Sequence, residues 1–215
     1  MSYKETENYE FRANVYGILA VVFTPPKIES GKLYEAILQA HHSLGPNDKT
    51  ISNEHSAQDL PAAQLSKEYL KLFVGPGRVP CPPYESVHRQ DRPILEKGLV
   101  MGPSTADVRH RYAEADLVLP KNFTDLPDHI AVEMEFMHFL CSEELKSIEQ
   151  GNPQDSTKRR KMEQEFLKEH LEPWVERFAD CVLKSTNSSF YRSAAGLLKA
   201  FVKNESEYLL GSNSE

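Results

Sequence analysis

Apolar residues recur every three to four positions along almost the whole chain, a period that packed helices satisfy and strands do not. Phe11, Val15, Ile18, Leu19 and Val22 make one such stripe, closed by Thr24-Pro25-Pro26. Leu33, Ile37 and Leu44 make a second, with a stop at Gly45-Pro46-Asn47-Asp48. A third carries Ala62, Leu65, Tyr69, Leu72 and Phe73, with Asp59 placed to cap it and Pro61 in its first turn. Ser104 and Asp107 form the pattern of a capping box, with Asp in place of the usual Glu, ahead of Val108, Tyr112 and Ala115. Turn formers dominate residues 119–127. The strongest stripe follows over 127–148, with Ile130, Met134, Met137, Cys141, Leu145 and Ile148 on one face and a stop at Gly151-Asn152-Pro153. Met162, Phe166 and His170 mark the next helix, and Pro173 forces a kink or restart before Trp174, Val175, Phe178 and Val182. Ser188 or Ser189 caps the last, which holds Phe190, Ala194, Leu197, Leu198 and Phe201. Alternating β-branched runs and Asn-Gly hairpins are missing, so the expected class is all-α, with a disordered tail at 211–215.

A chain of 215 residues makes one domain or two small lobes and can bury a full core. The formal net charge of -7 argues against a nucleic-acid binder, which needs a basic face to neutralise phosphates. The acidic, polar start MSYKETENYEF is unlike a secretory leader, and the apolar run 15–23 is shorter than the roughly 20 residues of a membrane span. A cytoplasmic location without stable membrane insertion is therefore expected. Cys81, Cys141 and Cys181 lie far apart with no C-x-x-C spacing, and Cys141 and Cys181 fall in apolar helical patterns, so all three read as reduced thiols.

Within this helical pattern, residues 68–86, EYLKLFVGPGRVPCPPYES, lead a helix into an apolar loop stiffened by Gly75, Pro76, Gly77, Pro80, Pro82 and Pro83. Proline fixes φ and lowers the entropy of the free loop, so the segment is preorganised. The residues that shape the loop, its Gly and Pro with Leu72, Phe73 and Val79, bring no nucleophile or base, which suits recognition better than chemistry. A stiff connector that plugs the core is the competing reading. Two E-x-x-H pairs, Glu85 with His88 and Glu135 with His138, raise a carboxylate-bridged di-iron bundle as an enzyme alternative. Against it, Glu85 directly follows a double proline and Glu135 lies beside the apolar stripe. H-E-x-x-H is absent, which speaks against zinc hydrolysis, and G-x-x-x-x-G-K-[ST] and G-x-G-x-x-G are absent too; no metal or cofactor is assigned, and direct contact with a molybdenum cofactor or a nucleotide stays open. A generic helical scaffold for folded partners is a third reading.

EYLKLFVGP, PPYES, LPDHIAVEMEF, HLEPWVERF and FYRSAAGLL resemble, in order and spacing, the TorD/DmsD/NarJ family of redox-enzyme maturation chaperones. The resemblance spans most of the chain. It implies a TorD-like helical bundle with a larger N-terminal part (1–118), a hinge loop (119–127) and a smaller C-terminal part (128–210). It implies no catalysis. The implied partners are the twin-arginine leader and the apo catalytic subunit of a molybdopterin enzyme, guarded in the cytoplasm until cofactor insertion and then released to the twin-arginine translocase. Carried over by motif, the implied binding residues are Leu72, Phe73, Gly75, Pro76, Pro82, Pro83, Tyr84, Glu85, Asp128 and His129. The chain departs from the best-studied subset of the family at Tyr84, where Trp often follows the two prolines, and at Glu85, where a small residue can occur.

In that reading Asp128 and Glu85 receive the leader's guanidinium groups through charge-assisted bonds, while Leu72, Phe73, Pro83 and Tyr84 line a groove for its apolar run. A structural reading stands beside it: Asp128 in the first turn of a helix, His129 as a packing residue or a partner of Glu133, and Leu72 or Phe73 in the core. Trp174, His170 and Phe178 are assigned to packing between the late helices. A monomer is expected, with domain exchange open through the 119–127 loop.

Overall fold

The computed structural model describes residues 3–26, 30–44, 61–76, 78–93 and 98–211. The expected stop at Gly45-Pro46-Asn47-Asp48, the Asp59 cap, Gly77 and all of the tail but Gly211 lie outside them. Helices α1 (Tyr3–Val22), α2 (Ser30–Leu44), α3 (Ala62–Tyr69), α4 (Glu85–His88), α5 (Pro103–Glu114), α6 (Ile130–Glu149), α7 (Pro153–Phe166), α8 (Val175–Ser185) and α9 (Ser189–Leu210) carry the fold. Among the described residues there is no strand, and no helix is long and apolar enough to cross a membrane.

Helix α1 lies along α6, α7 packs on α6, and α2 and α8 pack on α9. Two of these pairings, α1 with α6 and α2 with α9, join elements from the two sides of the 119–127 loop. Val15, Leu19 and Val22 of the α1 stripe are buried, together with Tyr16 and Ala20. The helix ends where Pro25 and Pro26 lack N–H groups to continue it, and Thr24 Oγ1 donates to Val21 O at 2.7 Å.

Helix α3 continues into one π-helical stretch, Leu70–Val74, closed by Gly75 at φ 85° with its N–H on Leu70 O. The wider turn brings the adjacent Leu72 and Phe73 inward together, at 0% and 4% exposure, so both are core. Phe73 meets Phe23, Tyr69, Phe178 and Tyr191 at ring separations of 5.3–6.0 Å, which makes it the junction of α3, α8, α9 and the residue just after α1.

Four local expectations are corrected. Helix α5 starts at Pro103, with Gly102 at the cap position, so Ser104 is buried inside the first turn and forms no capping box. Proline's fixed φ is already helical at that position, which moves the start forward. Helix α6 starts at Ile130, so Asp128 precedes the helix, and His129 caps it by accepting Ala131 N–H on Nδ1 at 3.1 Å. Ser188 stands at the cap of α9 without a side-chain bond; its own N–H is taken by Thr186 Oγ1 at 2.9 Å. Pro61 stands at the cap position of α3, which starts at Ala62, and not in its first turn. From α6 to α8 the punctuation holds. Gly151 at φ 68° ends α6, Asn152 caps α7, and a second π stretch, Leu167–Leu171, precedes Pro173 and the restart of α8 at Val175.

A buried ionic knot ties α1 to α7 and α9. Arg12 Nε and Nη2 donate to Glu205 Oε1 and Oε2 at 2.8 Å each, and Nη2 also meets Glu163 Oε2 at 2.5 Å. Tyr16 donates to the same Glu205 at 2.9 Å. Burial first, and Glu144 beside it, push Glu163 up to about 8, so that one carboxyl of the crowd keeps its proton.

The cysteines also differ from expectation. Cys81 and Cys181 are joined as a disulfide, with Cα atoms 5.8 Å apart across 100 residues of sequence, and Cys141 alone is free and buried. Pairing at that separation leaves no spacing signal, and the apolar pattern around Cys181 conceals its part-exposed side.

Candidate functional site

The proline-stiffened loop arrives at the entrance of α6 and is tied there by main chain. Tyr84 and His129 form an antiparallel bridge, with Glu85 N–H on Asp128 O at 3.0 Å and Ile130 N–H on Pro83 O at 2.9 Å. Prolines on the loop side and Pro127 on the other hold both segments extended enough to pair. The Tyr84 ring then rests edge-on against His129 at 5.3 Å.

Asp128 is fully buried, and its Oδ2 accepts Ser86 N–H at 3.0 Å. It thereby satisfies a free donor at the start of the short α4, from a different part of the chain. Glu85 is fully buried too. Its Oε1 takes Arg89 Nη1 at 2.5 Å, and its Oε2 lies 3.0 Å from His170 Nδ1. Arg89 is fixed in turn by Asp91, at 2.8 and 2.6 Å, and by Glu169 O at 2.7 Å. The Arg89 hydrogen bonds pull Asp91 down to about 2.

Glu133 completes the cluster, with Trp174 Nε1 donating to its Oε2 at 3.2 Å. Burial, then the charges of Glu85 and Asp128, raise the Glu133 carboxyl well above the usual range, and the Trp174 bond only partly opposes them. Burial lowers His129 against the pull of Asp125 and Asp128, in keeping with a neutral ring whose Nδ1 accepts. His88 stacks on Trp174 at 5.8 Å and places Nε2 2.7 Å from Pro82 O, and burial lowers its pKa.

The structure thus brings the loop and the Asp128-His129 pair together but turns most of the nominated side chains inward. Leu72, Phe73, Pro83, Glu85, Asp128 and His129 are buried, Gly75, Pro82 and Tyr84 are half-buried, and Pro76 is exposed. In this conformation Glu85 and Asp128 do not face solvent: Arg89 and His170 occupy both oxygens of Glu85, Ser86 N–H takes Asp128 Oδ2, and Asp128 Oδ1 is buried without a hydrogen-bond partner. The rival E-x-x-H ligands diverge: Glu85 faces Arg89, Glu135 is exposed, and His138 Nδ1 sits 2.7 Å from Ala13 O. Among the described residues no cluster of three or more His, Cys, Asp or Glu is suited to a metal.

Asp125 was not among the nominated residues. Its Oδ1 accepts from the Tyr84 hydroxyl at 2.9 Å and from Leu126 N–H at 2.8 Å, while the side chain stays 45% exposed. The signal in the sequence was an acid two residues before Pro127, where a turn is expected. Asp125 stands at the edge of a groove of about 750 Å³ between α5 and residues 117–127, floored by Tyr112, Leu117, Leu119, Phe123 and Pro127. Val118 lines the same groove at 88% exposure. Leu70 and Val74, at 50% and 52%, are the solvent-facing apolar groups of the π turn ahead of the loop.

The profile of the nitrate reductase delta subunit family matches residues 32–180, a span that includes both the loop and the α6 entrance. The chain belongs to this family of TorD-like redox-enzyme maturation chaperones. A chaperone protein TorD from Vibrio parahaemolyticus is 26% identical over 94% of the chain and 96% of its own length. The selenate reductase assembly chaperone protein of Thauera selenatis is 27% identical over 83% of the chain and 89% of its own. A crystal structure assigned to a redox enzyme maturation protein of Archaeoglobus fulgidus superposes with a TM-score of 0.54 at 24% identity, covering 89% of this chain and 93% of that one. It shares the fold. The TorD-like relatives are chaperones, not enzymes.

Proposed function

We propose that this TorD-like chain is a cytoplasmic chaperone that binds the twin-arginine leader and the apo catalytic subunit of a molybdopterin oxidoreductase until its cofactor is inserted. The observation that carries this reading is the family match across residues 32–180, in which the loop and the α6 entrance fall together. The relatives named for TorD and for selenate reductase assembly support the client class.

The solvent-facing features near the loop suit such a client. A leader offers arginines followed by an apolar run. Asp125 is the exposed carboxylate beside Tyr84, and the groove along α5 offers apolar area next to it. Burying that area at about 25 cal/mol per Å² supplies the gross affinity, less the cost of ordering the peptide. Asp125 supplies orientation through a charge-assisted bond. Pro76, Pro82 and Tyr84 form the accessible edge, while Leu72, Phe73, Glu85 and Asp128 hold that edge in place from inside.

The test is to tag the protein in its host, identify what co-purifies, and titrate the isolated leader calorimetrically. A molybdopterin-enzyme subunit should be recovered, and the leader should bind and weaken when both arginines become Gln. Recovery of unrelated folded proteins, with no leader binding, would replace the chaperone reading with a scaffold.

A further inference from the structure

The Cys81–Cys181 bond fastens the proline-rich loop to α8, and its two residues differ in exposure. Cys81 is fully buried, whereas Cys181 is part-exposed on the helix surface. Among the described residues, the loop backbone between them is held at its ends, by Gly75 N–H on Leu70 O and Cys81 N–H on Leu72 O. Arg177 and Lys184 stand four residues before and three after Cys181, which places both on its side of α8. Both are exposed, and neither makes an ion pair among the described residues; the acid adjacent in sequence, Asp180, is taken by Lys199 at 2.8 Å. The part-exposed sulfur therefore sits between two unneutralised cations in a chain of net charge -7.

We infer that Cys81–Cys181 is a thiol–disulfide exchange site that takes an anionic low-molecular-weight thiol of the glutathione class at Cys181, and that its reduction frees the loop from α8. The incoming thiolate attacks Cys181 Sγ, the sulfur it can reach. A new S–S bond forms to Cys181, the Cys81–Cys181 bond breaks, and Cys81 leaves as a thiolate that takes up a proton. A second thiol attacks the external sulfur of the mixed disulfide, releasing Cys181 as a thiol and the external pair as its disulfide. Two external thiols are oxidised and one protein disulfide is reduced. Neighbours for the products are in place. Ser185 Oγ lies 3.4 Å from Cys81 Sγ and donates to the departing thiolate, and Pro80 O lies 3.2 Å from Cys181 Sγ and accepts from the recovered thiol. Both thiols are thus accommodated, so the loop opens without unfolding the bundle. The inference concerns the bond and does not depend on the client.

The full-length oxidised protein is incubated with graded mixtures of reduced and oxidised glutathione, quenched by alkylation, and mapped by peptide mass spectrometry, with hydrogen exchange followed over residues 75–83. The expected result is a glutathione adduct on Cys181 with Cys81 alkylated, and faster exchange of the loop amides with the rest of the bundle unchanged. Arg177→Glu with Lys184→Glu should slow the reaction with glutathione, whose thiolate carries extra negative charge on its peptide, about tenfold, and the reaction with 2-mercaptoethanol, whose thiolate carries a single charge, only about threefold. An adduct on Cys81, equal slowing with both thiols, a bond that glutathione leaves intact at every ratio, or two free thiols in protein prepared under oxidising conditions would each overturn the inference.

Discussion

Replacing Asp128 separates its interior role from the leader-binding role that family likeness implies. Its Oδ2 receives the buried Ser86 N–H at 3.0 Å, a hydrogen bond to a charged acceptor worth about 1.5–3 kcal/mol. Asp128→Ala removes that acceptor and leaves the donor stranded. It also relieves repulsion with the neighbouring Glu85 carboxylate, Glu133 being held in its neutral form, which offsets about 1 kcal/mol at a high effective dielectric. The net loss is about 0.5–2 kcal/mol. At about 2–4 °C per kcal/mol for a chain of this size, the melting temperature falls by about 1–8 °C. Asp128→Asn keeps an oxygen for Ser86 and removes the charge, so it should lose less than half as much. Circular dichroism melts and urea titrations give the stability, and calorimetry with the leader peptide gives the affinity. Because the native state still dominates after such a loss, the affinity of both variants should stay within about twofold of the parent. If Asp128→Ala melts like the parent yet loses tenfold or more in affinity, about 1.4 kcal/mol, the carboxylate meets the ligand and its burial is not the binding state. Equal destabilisation by Ala and Asn would show instead that the charge, not the acceptor, is what the site needs.

Three further outcomes follow from the same packing. Glu163 is raised from 4.5 to about 8, so the native state binds more protons than the unfolded one in that window. Stability contributed by this group is complete below about pH 4.5 and is lost as pH rises toward about 8, at up to about 1.4 kcal/mol per pH unit; Glu163→Gln should flatten that slope in urea titrations across the window. Phe73→Ala should cost about 3–5 kcal/mol because four rings converge on it, whereas Val74→Ser, at 52% exposure, should stay within about 0.5 kcal/mol; equal melting temperatures would contradict the core assignment. Cutting the Cys81–Cys181 link, by reductant or Cys181→Ser, releases a loop closed over 100 residues and should cost at most about 4.7 kcal/mol, read as a lower denaturant midpoint with the fold retained.

The helices were legible in the sequence because each has its own amphipathic stripe and its own punctuation. Pro25-Pro26, Gly151-Asn152-Pro153 and Pro173 act within a few residues of where they stand, so their effects could be read locally. The errors fell where the deciding partner was distant. Nothing beside Asp128 shows that Ser86 will claim it, and nothing beside Cys81 points to Cys181, one hundred residues away. Leu72 and Phe73 form a different case. At ordinary helical spacing neighbours point about 100° apart, and it is the π turn that brings both inside.

The inward-facing carboxylates are also consistent with a receptor that works through shape. An acid free to meet a guanidinium must not already be spent, and Glu85 is spent on Arg89 and His170. What Glu85 and Asp128 do is hold an apolar, proline-bearing edge rigidly against α6, so that a ligand loses less affinity to ordering that edge. In the proposed receptor, recognition of charge is assigned to groups at the rim, where a pair keeps its water until the ligand arrives. Asp125 has that position: it is half open, steadied by Tyr84 and Leu126, and next to the groove along α5. The inner acids fix geometry because they are buried, and the rim acid stays available because it is not.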